Sequence, residues 1–254
     1  MARVFITGSA DGLGLLTARE LIALGHQVVL HARNEKRAEQ ALEKVPQAET
    51  ALVADLSDMD QTIELASKVN GLGTLDVVIH NAGIYQSSGQ NAGKSNLPDL
   101  LVVNTLAPYI LTCLIKRPRR LIYLASDMHL QGNSGLENLT IAGLKTGSIS
   151  YSDTKLHNVI LSMAVARKWE GIYANAVDPG WVPTKMGGIG APGNLEQGIQ
   201  TQVWLATNED SRAKVSGCYF YHKKQSDFQL AAKNNDVQDK FLALCEEITG
   251  VAFY

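Results

Sequence analysis

The sequence predicts an α/β fold: a doubly wound parallel β-sheet of about seven strands, flanked by helices on both faces. Three observations predict it. Short apolar runs at 4–6, 27–31, 50–53 and 75–80 alternate with longer stretches of helical apolar spacing. The first run opens directly into a glycine-rich turn, Thr7-Gly8-Ser9-Ala10-Asp11-Gly12-Leu13-Gly14, and then into a helix. The 254 residues contain neither an internal repeat nor a Pro/Gly/Ser-rich linker, so one domain is expected over 1–254.

Taken in order, 4–6 is a short strand, and the helix after the turn places Leu13, Leu16, Leu21 and Leu24 on its apolar side, with Gly25 as a stop. The second strand, 27–31, ends in Ala32-Arg33-Asn34, and an amphipathic helix covers 34–45. The third strand, 50–53, leads to Asp55-Leu56 and a helix over 58–70. The fourth, 75–80, closes on Asn81-Ala82-Gly83, and the Ser-, Gly- and Asn-rich stretch 87–96 reads as a loop. A helix over 97–115 carries Asn104. The fifth strand, 121–126, ends at Ser126, and a helix runs from Tyr151 to about Trp169. The sixth strand, 172–177, ends at Asp178-Pro179-Gly180-Trp181-Val182-Pro183-Thr184. A glycine-rich loop, another helix, a last strand at 217–221 and a closing helix over 236–249 complete the chain.

Composition excludes several classes. Apolar residues make up 45% and charged residues 19%, with a net charge of −2, as expected of a globular protein without nucleic-acid partners. The densest basic run, 116–120, precedes a strand and reads as a solvated loop. Three scattered cysteines, with no CxxC pair, argue against a disulfide framework and a zinc site and suit a reducing compartment. No apolar run reaches the roughly 18 residues of a spanning helix, and the first residues lack a secretion signal. A cytoplasmic protein without membrane contact is the expectation.

The chemistry starts at the glycine turn. Glycines let backbone approach a pyrophosphate, and a helix N-terminus supplies unpaired N–H groups and partial positive charge. At the end of the second strand, where dinucleotide folds meet the adenosine ribose, neutral Ala32 is followed by Arg33, whose guanidinium pairs with a phosphate. That favours NADP(H) over NAD(H), although Asp11 weighs against it if its carboxylate faces that phosphate. Asp55 suits an adenine amino group or, alternatively, a helix N-cap. Tyr151 and Lys155 stand four residues apart on one helix face, where an ammonium favours the phenolate and readies the pair for proton exchange with an alcohol or carbonyl. Such pairs also occur by chance on exposed helices.

Together these motifs resemble the short-chain dehydrogenase/reductase family over nearly the whole chain. The TGxxxGxG pattern stands as Thr7, Gly8, Gly12 and Gly14, the NAG element as Asn81-Ala82-Gly83, and YxxxK as Tyr151 and Lys155. The resemblance implies a Rossmann-type fold and hydride transfer between a nicotinamide cofactor and a carbonyl or alcohol. It implies Asn104, Ser126, Tyr151 and Lys155 as catalytic, with Asn104 holding a water beside the lysine. Cofactor contacts would come from Gly8, Ser9, Asp11, Gly12, Leu13, Gly14, Arg33, Asn34, Asp55, Leu56, Asn81, Ala82, Gly83, Tyr151, Lys155, Pro179, Gly180, Val182 and Thr184. No metal is implied.

Tyr151 lies 25 positions after Ser126, a long gap that resembles the retinol dehydrogenase and carbonyl reductase branch, and the gap itself reads as an extended loop. Substrate loops are expected at about 84–97, 130–149 and 184–198. Ile84, Tyr85, Trp181 and Met186 hint at a hydrophobic ketone, aldehyde or quinone. Family members commonly pair as dimers or tetramers through the helices carrying Asn104 and Tyr151, whereas monomers occur in the long-gap branch. Two other readings are a catalytically silent dinucleotide-binding redox sensor, which typically loses the Tyr or Lys, and a sugar-nucleotide epimerase, whose GxxGxxG spacing Gly8, Gly12 and Gly14 do not fit.

Overall fold

The computed structural model describes residues 1–86, 91–92, 96–146 and 148–254. Its order is β1 (Arg3–Ile6), α1 (Gly12–Ala23), β2 (Gln27–Ala32), α2 (Glu35–Lys44), β3 (Thr50–Val53), α3 (Met59–Gly71) and β4 (Val77–His80). A two-stranded ribbon, β5 (Asn91–Ala92) with β6 (Leu97–Pro98), precedes α4 (Asp99–Leu101), a π-helical turn (Val102–Leu106) and α5 (Ala107–Leu114). Then come β7 (Arg120–Leu124), α6 (Ile141–Thr146), α7 (Tyr151–Lys168), β8 (Tyr173–Asp178), α8 (Leu195–Thr207), β9 (Cys218–Tyr221), β10 (Lys224–Gln225) and α9 (Asn235–Thr249).

Eight strands form the main sheet in the order β10-β9-β8-β7-β4-β1-β2-β3, parallel throughout except for the antiparallel edge strand β10. β10 is the strand beyond the expected seven; two exposed polar residues carry no apolar signal. Strand order reverses between β1 and β4, which opens a crevice at the carboxyl ends of those strands.

Strand alternation divides the apolar residues between two cores. Val4, Ile6, Val77, Ile79, Ile122, Leu124 and Val177 face the side covered by α1, α2 and α8. Phe5, Val78, Leu121, Tyr123, Ala174 and Ala176 face α3, α5, α7 and α9. Helix α7 is buried without a break from Ser152 to Val165, because β7, β8 and α9 enclose it. On α1 the buried residues are Gly14, Leu15, Thr17, Ala18 and Leu21, while the expected Leu24 is exposed. α1 is wedged between the sheet and α8, so small residues take the close approach.

One loop expectation and one helix expectation change. The segment expected as an extended loop between Ser126 and Tyr151 holds two 3-10 turns, Asp127–Gln131 and Glu137–Leu139, and helix α6, with Leu136 and Leu139 fully buried. Isolated leucines at such short spacing give no readable helical period. The expected helix over 97–115 is interrupted by the π turn. Much of the expected loop 87–96 (residues 87–90 and 93–95) lies outside the described residues, as does Gly147.

Candidate active site

A cleft of about 910 Å³ opens at the crevice between β1 and β4. Its floor is the glycine turn. Gly8 takes φ +62° and lies so close to Ala82 that an added Cβ would stand 2.9 Å from its Cα. At Gly14 a Cβ would meet the Asn81 side chain and the Gly8 carbonyl oxygen at 2.5 Å, so backbone packing itself demands glycine there. Asn81 donates to the carbonyl oxygens of Thr7 and Gly8, and Thr7 Oγ1 accepts from the Asn81 and Ala82 N–H groups. The TG and NAG elements thus bind one another across the switch point.

Helices α2, α3, α7, α8 and α9 are capped by the side chains of Asn34, Asp58, Ser150, Asn194 and Asn234. α1 has no side-chain cap, and its first turn, Gly12-Leu13-Gly14, lines the cleft. An uncapped helix start over a glycine-rich floor fits a pyrophosphate.

Gly8, Asp11, Gly12, Leu13, Gly14, Arg33, Asp55, Leu56, Asn81, Ala82, Gly83, Tyr151, Lys155, Pro179 and Thr184 all line this cleft. Four expected contacts do not. Ser9 is fully buried; its hydroxyl donates to the Ile6 carbonyl and accepts from the His31 N–H. Asn34 is spent on the α2 cap, accepting from the Arg37 N–H. Gly180 and Val182 line a neighbouring cavity of about 710 Å³ instead, together with Trp181. Asp55 binds the Ser57 N–H and hydroxyl, so it orders its own loop.

Several cleft residues escaped the sequence reading. His31 accepts the Gly8 N–H on Nδ1 at 2.9 Å and points Nε2 to the Ala54 carbonyl at 3.0 Å. Burial pushes this imidazole down to about 4, so it is neutral at pH 7 and latches the glycine turn to β2. Arg37 and Lys185 both pair with Asp11 Oδ2, Lys185 at 2.9 Å. Burial raises the Asp11 pKa, but these two cations outweigh it and hold the carboxyl below its ordinary range. Arg37 was legible only as a helix-surface charge, and nothing linear links positions 11 and 185.

Tyr151 and Lys155 meet in the cleft. The ammonium donates to the Leu124 carbonyl oxygen at 2.9 Å and stands 5.2 Å from the Tyr151 ring centre. Burial pushes the Lys155 ammonium down to about 8, against the opposing charge of Asp178. Tyr151 is pushed well above its ordinary value, by burial first and then by the charges of Asp178, Tyr85 and Asp127. The expected lowering of the phenol by Lys155 does not appear in this geometry, where every cause of the shift raises it. Tyr85 packs edge-on against the Tyr151 ring at 4.9 Å, and Met186 Sδ lies 4.0 Å from its hydroxyl.

The fully buried Asn104 sits inside the π turn, not on a helix surface. Its amide oxygen accepts the Ile84 N–H, and its NH2 donates to the Ile84 carbonyl oxygen and to Thr154 Oγ1. From inside the π turn it ties the exit of β4 to α7. Among the described residues Ser126 makes no hydrogen bond to Tyr151: its hydroxyl donates to Asp127 Oδ1 at 3.0 Å and accepts the Met128 N–H, capping the 3-10 turn that follows.

Comparison with known proteins identifies the family. Residues 2–117 match the family model described as short chain dehydrogenase. An uncharacterized oxidoreductase of Emericella nidulans is 43% identical over 99% of the chain and 98% of its own length. The short-chain dehydrogenase chyC of Penicillium rubens is 40% identical, with the same coverage. Retinol dehydrogenase 14 of Homo sapiens is 27% identical over 98% of the chain and 86% of that protein. Among solved structures, an uncharacterized protein from Mycobacterium paratuberculosis superposes with a TM-score of 0.81 at 24% identity, covering 100% of the chain and 95% of its own. A gluconate 5-dehydrogenase from Burkholderia cenocepacia in complex with NADP and tartrate gives a TM-score of 0.67 at 21% identity, over 87% and 92%. With relatives of 40% identity and more spanning its full length, the chain belongs to the short-chain dehydrogenase/reductase family of oxidoreductases.

Proposed function

We infer that the chain is an NADP(H)-dependent reductase of hydrophobic ketones, aldehydes or quinones. The observation that carries this reading is the convergence of Tyr151 and Lys155 on the wall of a glycine-floored cleft whose helix start is uncapped. The cofactor supplies the hydride when bound. Everything else falls to the protein. Tyr151 delivers the proton to the substrate oxygen, for which a raised pKa keeps it protonated at neutral pH. Ser126 orients that oxygen after a side-chain rotation away from Asp127, and Lys155 holds the nicotinamide ribose.

Arg33 and Arg37 supply the charge that a 2′-phosphate needs at the end of β2. Asp11 does not oppose it, since its carboxylate is already matched by Arg37 and Lys185. The NADP bound by the B. cenocepacia gluconate 5-dehydrogenase is in keeping with that preference. Tyr85 and Met186, both partly exposed beside Tyr151, favour an apolar carbonyl compound.

The test is NADPH consumption at neutral pH over a panel of ketones, aldehydes and quinones, with NADH and Tyr151→Phe in parallel. Turnover with NADPH that falls about 10²- to 10⁴-fold in the variant supports the reading. Tight NADPH binding with no turnover across the panel would favour a redox sensor.

A further inference from the structure

We propose that Asp178 is a positioning residue for this chemistry, tying the backbone after Ser126 to the Gly180 turn and setting its negative charge before Tyr151 and Lys155. The proposal rests on the reductase reading for its catalytic consequence but not for its geometry.

Asp178 is the last residue of β8 and is buried. One carboxylate oxygen accepts the Gly180 N–H at 2.7 Å, and the other accepts the Tyr219 hydroxyl from β9 at 3.2 Å. The Asp127 backbone N–H faces the same carboxylate. Gly180 takes φ +78° and starts the loop that carries Thr184 and Met186 to the cleft. One side chain therefore connects three segments: the backbone just after Ser126, the loop carrying Thr184 and Met186, and strand β9.

Every donor within hydrogen-bond distance of Asp178 among the described residues is neutral, so its charge reaches beyond them. The titratable groups around it are Tyr151 and Lys155 on α7, Asp127 and His129 after β7, Tyr219 and Tyr221 on β9, and His222 and Asp227 beyond β9. His129 is buried, holds the Ser126 carbonyl at 2.6 Å through Nδ1 and accepts the Gln229 N–H on Nε2, so it is a neutral ring packed 4.6 Å from Tyr219. Asp178 favours the charged form of Lys155 and the protonated form of Tyr151, the two forms a carbonyl reductase uses.

The experiment is Asp178→Asn in the full chain, read in two independent ways. The Lys155 titration is followed by 13C NMR of lysine-labelled protein without cofactor or substrate, with Lys155→Met for assignment. It is expected to shift downward by about one unit. In turnover, kcat is expected to fall about tenfold or more with KM little changed, and the alkaline limb of the pH profile moves to lower pH. Tyr219→Phe removes one donor but leaves the charge, so its Lys155 titration stays in place; it keeps the test open if Asp178→Asn does not fold. A Lys155 titration unchanged in Asp178→Asn, or one that moves equally in Tyr219→Phe, overturns the proposal. A shifted titration in a protein with no carbonyl turnover would leave the electrostatic link standing and sink the reductase reading instead.

Discussion

The Lys155 ammonium donates to the Leu124 carbonyl oxygen, 2.9 Å away at the end of β7, and not to the Tyr151 hydroxyl. The lysine is thus held by the sheet while its helix holds the tyrosine, and their separation is set by how α7 packs on β7. Because the ammonium is buried, the folded protein binds its proton less tightly than the unfolded chain does, with a pKa near 8 against an ordinary 10.5. Its burden on stability is full below about pH 8 and fades as pH rises toward 10.5. Lys155→Met is therefore expected to be inactive yet more stable, by up to about 3 kcal/mol at pH 7. Chemical denaturation of both proteins should show that gap closing as pH rises from 8 to 10.5.

Acid should unfold the protein through its buried histidines. Burial holds His31 and His157 at about 4 and His80 at about 3, each against an ordinary 6.5. The unfolded chain binds these protons first, so stability is intact above pH 6.5 and is lost as pH falls toward 4. Each fully buried ring contributes up to about 3 kcal/mol to that loss. Urea midpoints measured from pH 7 to 4 should fall steeply, and His157→Gln should flatten the slope.

Gly12 and Gly14 should respond differently to alanine. A Cβ at Gly14 would overlap Asn81 and the Gly8 carbonyl, which joins the TG and NAG elements, whereas at Gly12 its nearest neighbour is Thr184 at 3.9 Å. Gly14→Ala is expected to lose about 3 kcal/mol or more and with it cofactor binding. Gly12→Ala carries only the strain of its φ of +55°, about 1 kcal/mol. Thermal melts with and without NADPH distinguish them.

Cofactor choice should follow the arginines at the end of β2. Arg33→Ala and Arg37→Ala are each expected to raise the KM for NADPH about 10- to 100-fold while leaving that for NADH nearly unchanged. Steady-state kinetics with both cofactors read this directly. Equal losses with NADPH and NADH would show that these arginines hold the loop rather than the phosphate.

Helix α7 has no free face to offer a second copy. It is buried from Ser152 to Val165 within one chain, and the C-terminal segment covers its far end, where Phe253 stacks on Trp169 and the Tyr254 carbonyl accepts the Trp169 indole N–H. The protein is expected to run as a monomer in size-exclusion chromatography with light scattering. Truncation at Gly250 should expose this surface and lower stability.

The sheet, the glycine turn and the pairing of Tyr151 with Lys155 were all legible in the sequence because each is local. A short continuous apolar run marks a strand buried on both faces, glycine at a tight turn marks a close backbone approach, and a spacing of four places two side chains on one helix face. What the chain alone determined was which groups exist and which near neighbours share a face. Only the folded structure decided that Asp11 joins Arg37 and Lys185, that Ser126 caps a turn, and that Asp178 reaches Tyr219 and Gly180. It also decided the sign of the phenol's shift, which burial first and then the charge of Asp178 raise. Such outcomes depend on distances between residues far apart in the chain and on the water that packing excludes, and no linear pattern records either quantity.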